Sequence, residues 1–228
     1  MNRKKKAFTL SFDDGVKQDM RLVEMMNRYG LKGTFNLNTG IQSEENSFTI
    51  EGKNFCRMNQ EGLSQLYEGH EVASHGLMHV DLRDLDRTGY EEEIGEDIKN
   101  IEKFYGKRPV GFAYAFGGYD DDAISALKEY GIRYARTVED SHAFGMPVDL
   151  MRLAPTCHYR DKKLMQLAES FVGMQGEEPA LFYVWGHSYE LELHEEWEML
   201  ETFFSYISDR EDIYYGTNIE CLRYLELV

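Results

Sequence analysis

The chain has 228 residues, 42% hydrophobic and 29% charged, enough to bury one sizeable core, so one compact domain over residues 1–228 is expected. Its 41 acidic against 25 basic residues give a formal charge of -16, which repels nucleic-acid backbones and anionic membranes and favours neutral or cationic small substrates. No apolar run reaches the ~18 residues of a membrane span, and the apolar stretch after the basic opening Met1 to Lys6 is cut by Asp13 and Asp14, so no export signal is readable. Cys56, Cys157 and Cys221 are far apart and odd in number, and read as the reduced, mostly buried thiols of a cytoplasmic protein.

Taken in chain order, residues 7–12 alternate as a strand ending at Asp13-Asp14, and a helix follows over 17–28 with Gly30 as its stop. Residues 33–37 form a second strand, 39–54 a polar excursion over the rim, 59–67 a helix, and 71–74 a strand running into His75. The Thr88 to Glu91 segment has the form of a capping box for a helix reaching Tyr105. Residues 110–115 make the next strand, Asp120 caps a helix that stops at Gly131, and 132–135 return as a strand. A strand near 151–153, a helix over 162–171, a strand over 180–185, a helix over 195–207, a strand over 213–215 and a short helix complete the chain.

This alternation predicts a parallel sheet with crossover helices. Asp13-Asp14, His75 and His187 each fall at the C-terminal end of a predicted strand, where a (β/α) barrel gathers its chemistry, which favours closure into a barrel. The spacing His75-x-x-x-His79 puts two imidazoles within reach of one ion, although two polar residues in a surface loop would look the same. Asp13-Asp14-Gly15 supplies a third ligand and a spare carboxylate, or else a capped turn before the helix; both readings are compatible.

Ser11-Phe12-Asp13-Asp14-Gly15 resembles the Thr-Phe-Asp-Asp-Gly signature of the polysaccharide deacetylases, carbohydrate esterase family four, also called NodB-like. His75-Gly-Leu-Met-His79 resembles their second motif, with Gly76 where a hydroxyl residue is usual. The segment from Gly111 to Gly117 stands in the place of the third motif, and Trp185-Gly186-His187 resembles the last. The resemblance implies a distorted (β/α) barrel of about seven strands, with a divalent metal, most readily zinc, held by Asp14, His75 and His79. It implies that Asp13 is the base, that His187 is the acid acting from the side of the pocket opposite Asp13, and that the Phe116 N–H meets the oxyanion. Tyr114 and Trp185, with Tyr119 and Tyr189, are candidates for a sugar-binding wall; core packing explains them equally well.

The chain departs from the family where an arginine usually orients the base: the matching residue is Ala113, and Arg133, Arg136 and Arg152 are all candidates to replace it. His142 and His158 read as structural, and the Glu91-Glu92-Glu93 run as a solvated helix start. The expected activity is hydrolytic removal of an acetyl group, an N-acetyl from an amino sugar or oligosaccharide, in metabolism of carbohydrates. The alternatives are an O-acetyl ester, another non-peptide C–N bond, or a barrel that keeps the metal and only binds a carbohydrate.

Overall fold

Strand β1 (Lys6–Asp13) shows how the chain divides its side chains. Successive residues of a strand point to opposite faces, and Phe8, Leu10 and Phe12 join the main apolar core with residues of the 19–28 and 197–207 helices. Thr9, Ser11 and Asp13 face the other way, into a polar interior: Thr9 Oγ1 donates to Asn218 Oδ1, and Asn36 Nδ2 donates to Ser11 Oγ and Asp13 Oδ1. Burying each large apolar side chain on the helix-facing side contributes about 1.5–3 kcal/mol. That side therefore holds the sheet, and the inward side is free to carry polar groups.

The computed structural model describes residues 4–176 and 178–228; the first three residues of the basic opening lie outside the described residues. Beyond β1 come β2 (Gly33–Leu37), β3 (Phe48–Ile50), β4 (Lys53–Phe55), β5 (Glu71–Ser74) and β6 (Gly111–Ala113). They are followed by β7 (Tyr134–Arg136), β8 (Cys157–His158), β9 (Ala180–His187) and β10 (Ile213–Tyr215). Seven of them form a parallel sheet in the order β7-β6-β5-β2-β1-β9-β8, and β10 pairs with the first half of β1. The sheet curls because one segment serves both edges. Leu153 bridges Arg136 on β7, while Cys157 and His158 pair with Val184 and Trp185 on β9. The architecture is thus the expected α/β distorted barrel, with strand C-terminal ends gathered at one rim.

Several local expectations need correction. Residues 39–54 are not all loop: β3 and β4 form an antiparallel hairpin across Glu51 and Gly52, both at positive φ as a two-residue hairpin turn requires. The helix expected over 59–67 shrinks to Leu63–Leu66, because Gly62 adopts a left-handed conformation at φ 86 that a helix cannot contain. The helix expected to start with a Thr88 capping box is capped instead by Asp86, whose carboxylate accepts from Gly89 N, and it passes through a π-helical stretch at Glu91–Glu96. The strand expected near 151–153 is a 3-10 turn over Leu150–Arg152, with only Leu153 paired. Strand β8 and the helix Ser188–Leu193 had no sequence expectation. Strand β9 runs two residues further than read, and so carries His187 on the sheet itself.

Candidate active site

At the rim, β1 ends in Asp13-Asp14 and β5 runs into His75. The ligand atoms of Asp14, His75 and His79 all lie within 4.8 Å of one another. A bound ion at about 2.0–2.2 Å from each would draw this set in only slightly. His75 Nδ1 lies 2.7 Å from the Ala113 carbonyl, which only accepts, so Nδ1 carries a proton and Nε2 is the nitrogen this ring offers to a cation. Burial and the neighbouring His75 lower the His79 pKa to about 4, which keeps that ring neutral and able to ligate. Asp14 at φ 81 and His79 at φ 59 are both in the left-handed region, a conformation costing of order 1–3 kcal/mol for a non-glycine residue and found at sites that over-determine their geometry. The donor set fits a divalent cation.

Asp13 is 2% exposed and faces the same space. Its Oδ1 accepts from Asn36 at 2.7 Å and its Oδ2 from Arg136 Nη2 at 2.5 Å. Burial alone would raise its pKa, but Arg136, His75 and His187, with the Asn36 bond, hold the carboxyl below the usual carboxylate range. Arg136 therefore takes the orienting place left empty at Ala113, among the three arginines that sequence allowed. Its guanidinium lies over the Trp185 ring at 4.4 Å, and the indole Nε1 donates to Asp140 Oδ1 at 2.9 Å.

His187 is not opposite Asp13. Strands β1 and β9 are direct neighbours with Asp13 paired to His187 in register, and His187 Nε2 stands 3.8 Å from Asp13 Oδ2. Its other nitrogen, Nδ1, lies 3.4 Å from Glu190 Oε2, which also receives His158 Nε2 at 3.1 Å. The Arg160 amide donates to His158 Nδ1, so the His158 proton sits on Nε2 and points at Glu190. That arrangement makes the His158-Glu190-His187 trio a hydrogen-bonded chain rather than a second metal site. Burial lowers the His187 pKa, yet the Glu190 bond and the charges of Asp13 and Asp14 outweigh it and raise the value to about 9. Sequence reasoning passed over Glu190, which lies in a helix that had no sequence expectation, and read His158 as structural.

The aromatic candidates separate cleanly. Tyr114 does not belong to a substrate wall: it is 1% exposed, donates its hydroxyl to the Met151 carbonyl at 2.8 Å, and stacks on Tyr119. Trp185 is mostly buried as the platform under Arg136. Phe116 is 70% exposed and packs edge-on against His79 at 4.6 Å, with its backbone at φ 57. The β3–β4 hairpin forms one side of the rim, where Phe48 and Phe55 pack on Tyr189 and Tyr189 on His187. Just after the hairpin, Arg57 Nη2 reaches Asp14 Oδ1 at 3.3 Å. His142 pairs with Asp161 further out on the rim.

The sequence profile of the polysaccharide deacetylases matches residues 1–135, more than half of the chain, a span that includes Asp13, Asp14, His75 and His79 but not His187. The chain belongs to the polysaccharide deacetylase family. A peptidoglycan deacetylase-like protein of Gibberella zeae is 27% identical to this deacetylase-family chain over 137 residues, covering 58% of the chain but only 37% of the fungal protein. Among solved structures, a provisionally assigned polysaccharide deacetylase from Mycobacterium smegmatis superposes with TM-score 0.70 at 16% identity, covering 99% of this chain and 91% of that one. A family pseudoenzyme from Bacillus anthracis superposes with TM-score 0.62 at 16% identity, covering 97% and 66%. The polysaccharide deacetylase fold is thus shared by an inactive relative, and any claim of activity has to rest on the residues at the rim.

Proposed function

We propose that the chain is a metal-dependent hydrolase that removes an acetyl group, an N-acetyl from an amino sugar or oligosaccharide. The observation that carries this reading is the convergence of Asp13, Asp14, His75, His79 and His187 on one rim, with the base position backed by the buried Arg136 and the acid position by the half-buried Glu190. Asp14, His75 and His79 would hold one divalent cation, with two imidazoles and a carboxylate suiting zinc. When bound, such an ion supplies Lewis acidity toward an acyl oxygen and acidity to a water.

The chain's own groups divide the remaining work. Asp13, kept ionised by Arg136 and Asn36, accepts the proton of the attacking water at the oxygen facing the site. The backbone N–H of Phe116 meets the developing oxyanion. His187, kept protonated by Glu190, delivers its Nε2 proton to the departing nitrogen, so the C–N bond breaks with release of acetate and a free amine. The exposed Phe116 ring offers a flat apolar surface for a sugar. An acetylated carbohydrate is the partner this chemistry takes; the charge of -16 argues against nucleic acid. Among the described residues no helix is long and apolar enough to cross a membrane. Three free thiols suit a reducing compartment such as the cytoplasm.

The reading is tested by acetate release from a panel of N- and O-acetylated sugars, with chelator-treated protein as control. Asp14→Ala and His75→Ala should each lose the cation, read by metal analysis after dialysis, together with turnover. Retention of a full equivalent of metal in both variants would refute the ligand set. Glu190 gives a separate handle. Replacing it with Gln removes a negative charge that favours the imidazolium, so the His187 pKa falls and the alkaline limb of kcat should move to lower pH by about 1–3 units. An unmoved limb would show that Glu190 does not set the protonation of the acid.

A further inference from the structure

The loop that carries His79 has almost no regular structure of its own, and its backbone groups are satisfied from elsewhere. Asn38, fully buried, donates its side-chain amide to the carbonyls of His75 at 2.6 Å and Gly76 at 2.9 Å. Gly40 N donates to the Leu77 carbonyl. The amides on the other side converge on one carboxylate. Met78 N donates to Glu93 Oε1 and Oε2 at 3.0 and 3.1 Å, and Val80 N to Oε1 at 3.3 Å. Leu77 N is taken by the Glu93 backbone carbonyl.

Glu93 is 4% exposed and has no ion-pair partner among the described residues; its charge is met by backbone amides. It lies in the π-helical stretch Glu91–Glu96, an irregularity that occurs frequently at functional sites. The reading of Glu91-Glu92-Glu93 as a uniformly solvated helix start is therefore wrong for Glu93, whereas Glu91 and Glu92 are exposed. The same carboxylate accounts for an oddity in the motif. A Cβ at position 76 would sit 2.4 Å from Glu93 Oε1, and Gly76 stands at φ 83, so the hydroxyl residue usual there has no room.

We propose that Glu93 is the positioning residue of this site: it folds the His75–Val80 loop by gathering its amides and so sets the affinity of the Asp14, His75 and His79 group for its cation. The inference rests on the proposed ligand set and goes beyond it. His79 must hold a left-handed backbone to face Asp14, and a carboxylate receiving several N–H groups is the partner that holds such a turn most firmly. Second-layer groups of this kind typically change metal affinity by about 10–100-fold.

The test is direct titration of metal-free protein with Co2+, followed by its visible absorbance, for wild type, Glu93→Gln and Gly76→Ala. Glu93→Gln keeps the size but turns an NH2 toward the loop amides, and Gly76→Ala pushes the carboxylate aside. Both should weaken binding about 10–100-fold while circular dichroism stays that of the folded chain. Wild-type affinity in a folded Glu93→Gln would overturn the proposal and leave the ligand set standing, whereas no uptake by wild type would overturn both. If the variants do not fold, hydrogen exchange of the wild type decides. The amides of Met78 and Val80 should be protected although the loop lies at the rim, and fast exchange there would overturn the role.

Discussion

Asp13→Asn should keep the cation and lose turnover by roughly 10²- to 10⁴-fold, because an amide cannot accept the proton of the attacking water. The variant also disturbs a buried pair. Arg136 is 1% exposed, and removing its counter-charge leaves a guanidinium without compensation, which costs about 3–5 kcal/mol of stability. A loss of activity in the single variant therefore has two explanations, and the double variant Asp13→Asn, Arg136→Met separates them. Replacing both charges with neutral groups should recover much of the thermal stability, since a buried pair is often exchanged at little net cost. It should recover none of the turnover. If the double variant regains activity, Asp13 serves only to neutralise Arg136, and the base must be sought elsewhere. Arg136→Met alone is a complementary probe. With its chief cation gone and its burial unchanged, the Asp13 pKa should rise, and the acid limb of the rate profile should move up in pH.

How much of this was legible beforehand depends on where each residue's partners lie. Asp13, Asp14, His75 and His79 could be found because each pair is contiguous or four apart and sits at the end of a readable strand. Arg136 could be narrowed to three candidates but not chosen. Its inward direction follows from strand β7 extending one residue beyond the reading and from Leu153 closing against it, and both are matters of tertiary pairing. Strand order explains the error over His187: nothing local says that β9, last of the long strands, lies directly beside β1. Glu93 and Glu190 were hidden for another reason. Glu93 reads as a solvated acid at a helix start, where negative charge needs no further account, and Glu190 lies in a helix that had no sequence expectation; the loop amides brought against Glu93, and the distant His158 brought against Glu190 beside the nearby His187, give each its specific role. The hairpin of β3 and β4 carried a signal that was missed, the Glu51-Gly52 pair following the alternation of Phe48-Thr49-Ile50.

His187→Ala should retain the cation and lose about 10²- to 10⁴-fold in turnover on amides, with a smaller loss on acetyl esters. The asymmetry follows from the leaving groups. An alkoxide departs more readily than an amide nitrogen and depends less on a proton delivered as the bond breaks. Metal retention is expected because His187 Nε2 faces Asp13 and its Nδ1 faces Glu190, outside the Asp14, His75 and His79 group. The substitution also removes a positive charge beside Asp13, but Arg136 remains as its close partner, so the base should stay ionised through the neutral range. The base-dependent step is then preserved for both substrates, and the difference between amide and ester reports on the acid alone. The comparison should be made at pH 7, below the value of about 9 to which Glu190, Asp13 and Asp14 raise the imidazole, where the wild-type ring carries its proton. Equal losses on the two substrates would remove the general-acid role and leave His187 as a positioning group for Asp13.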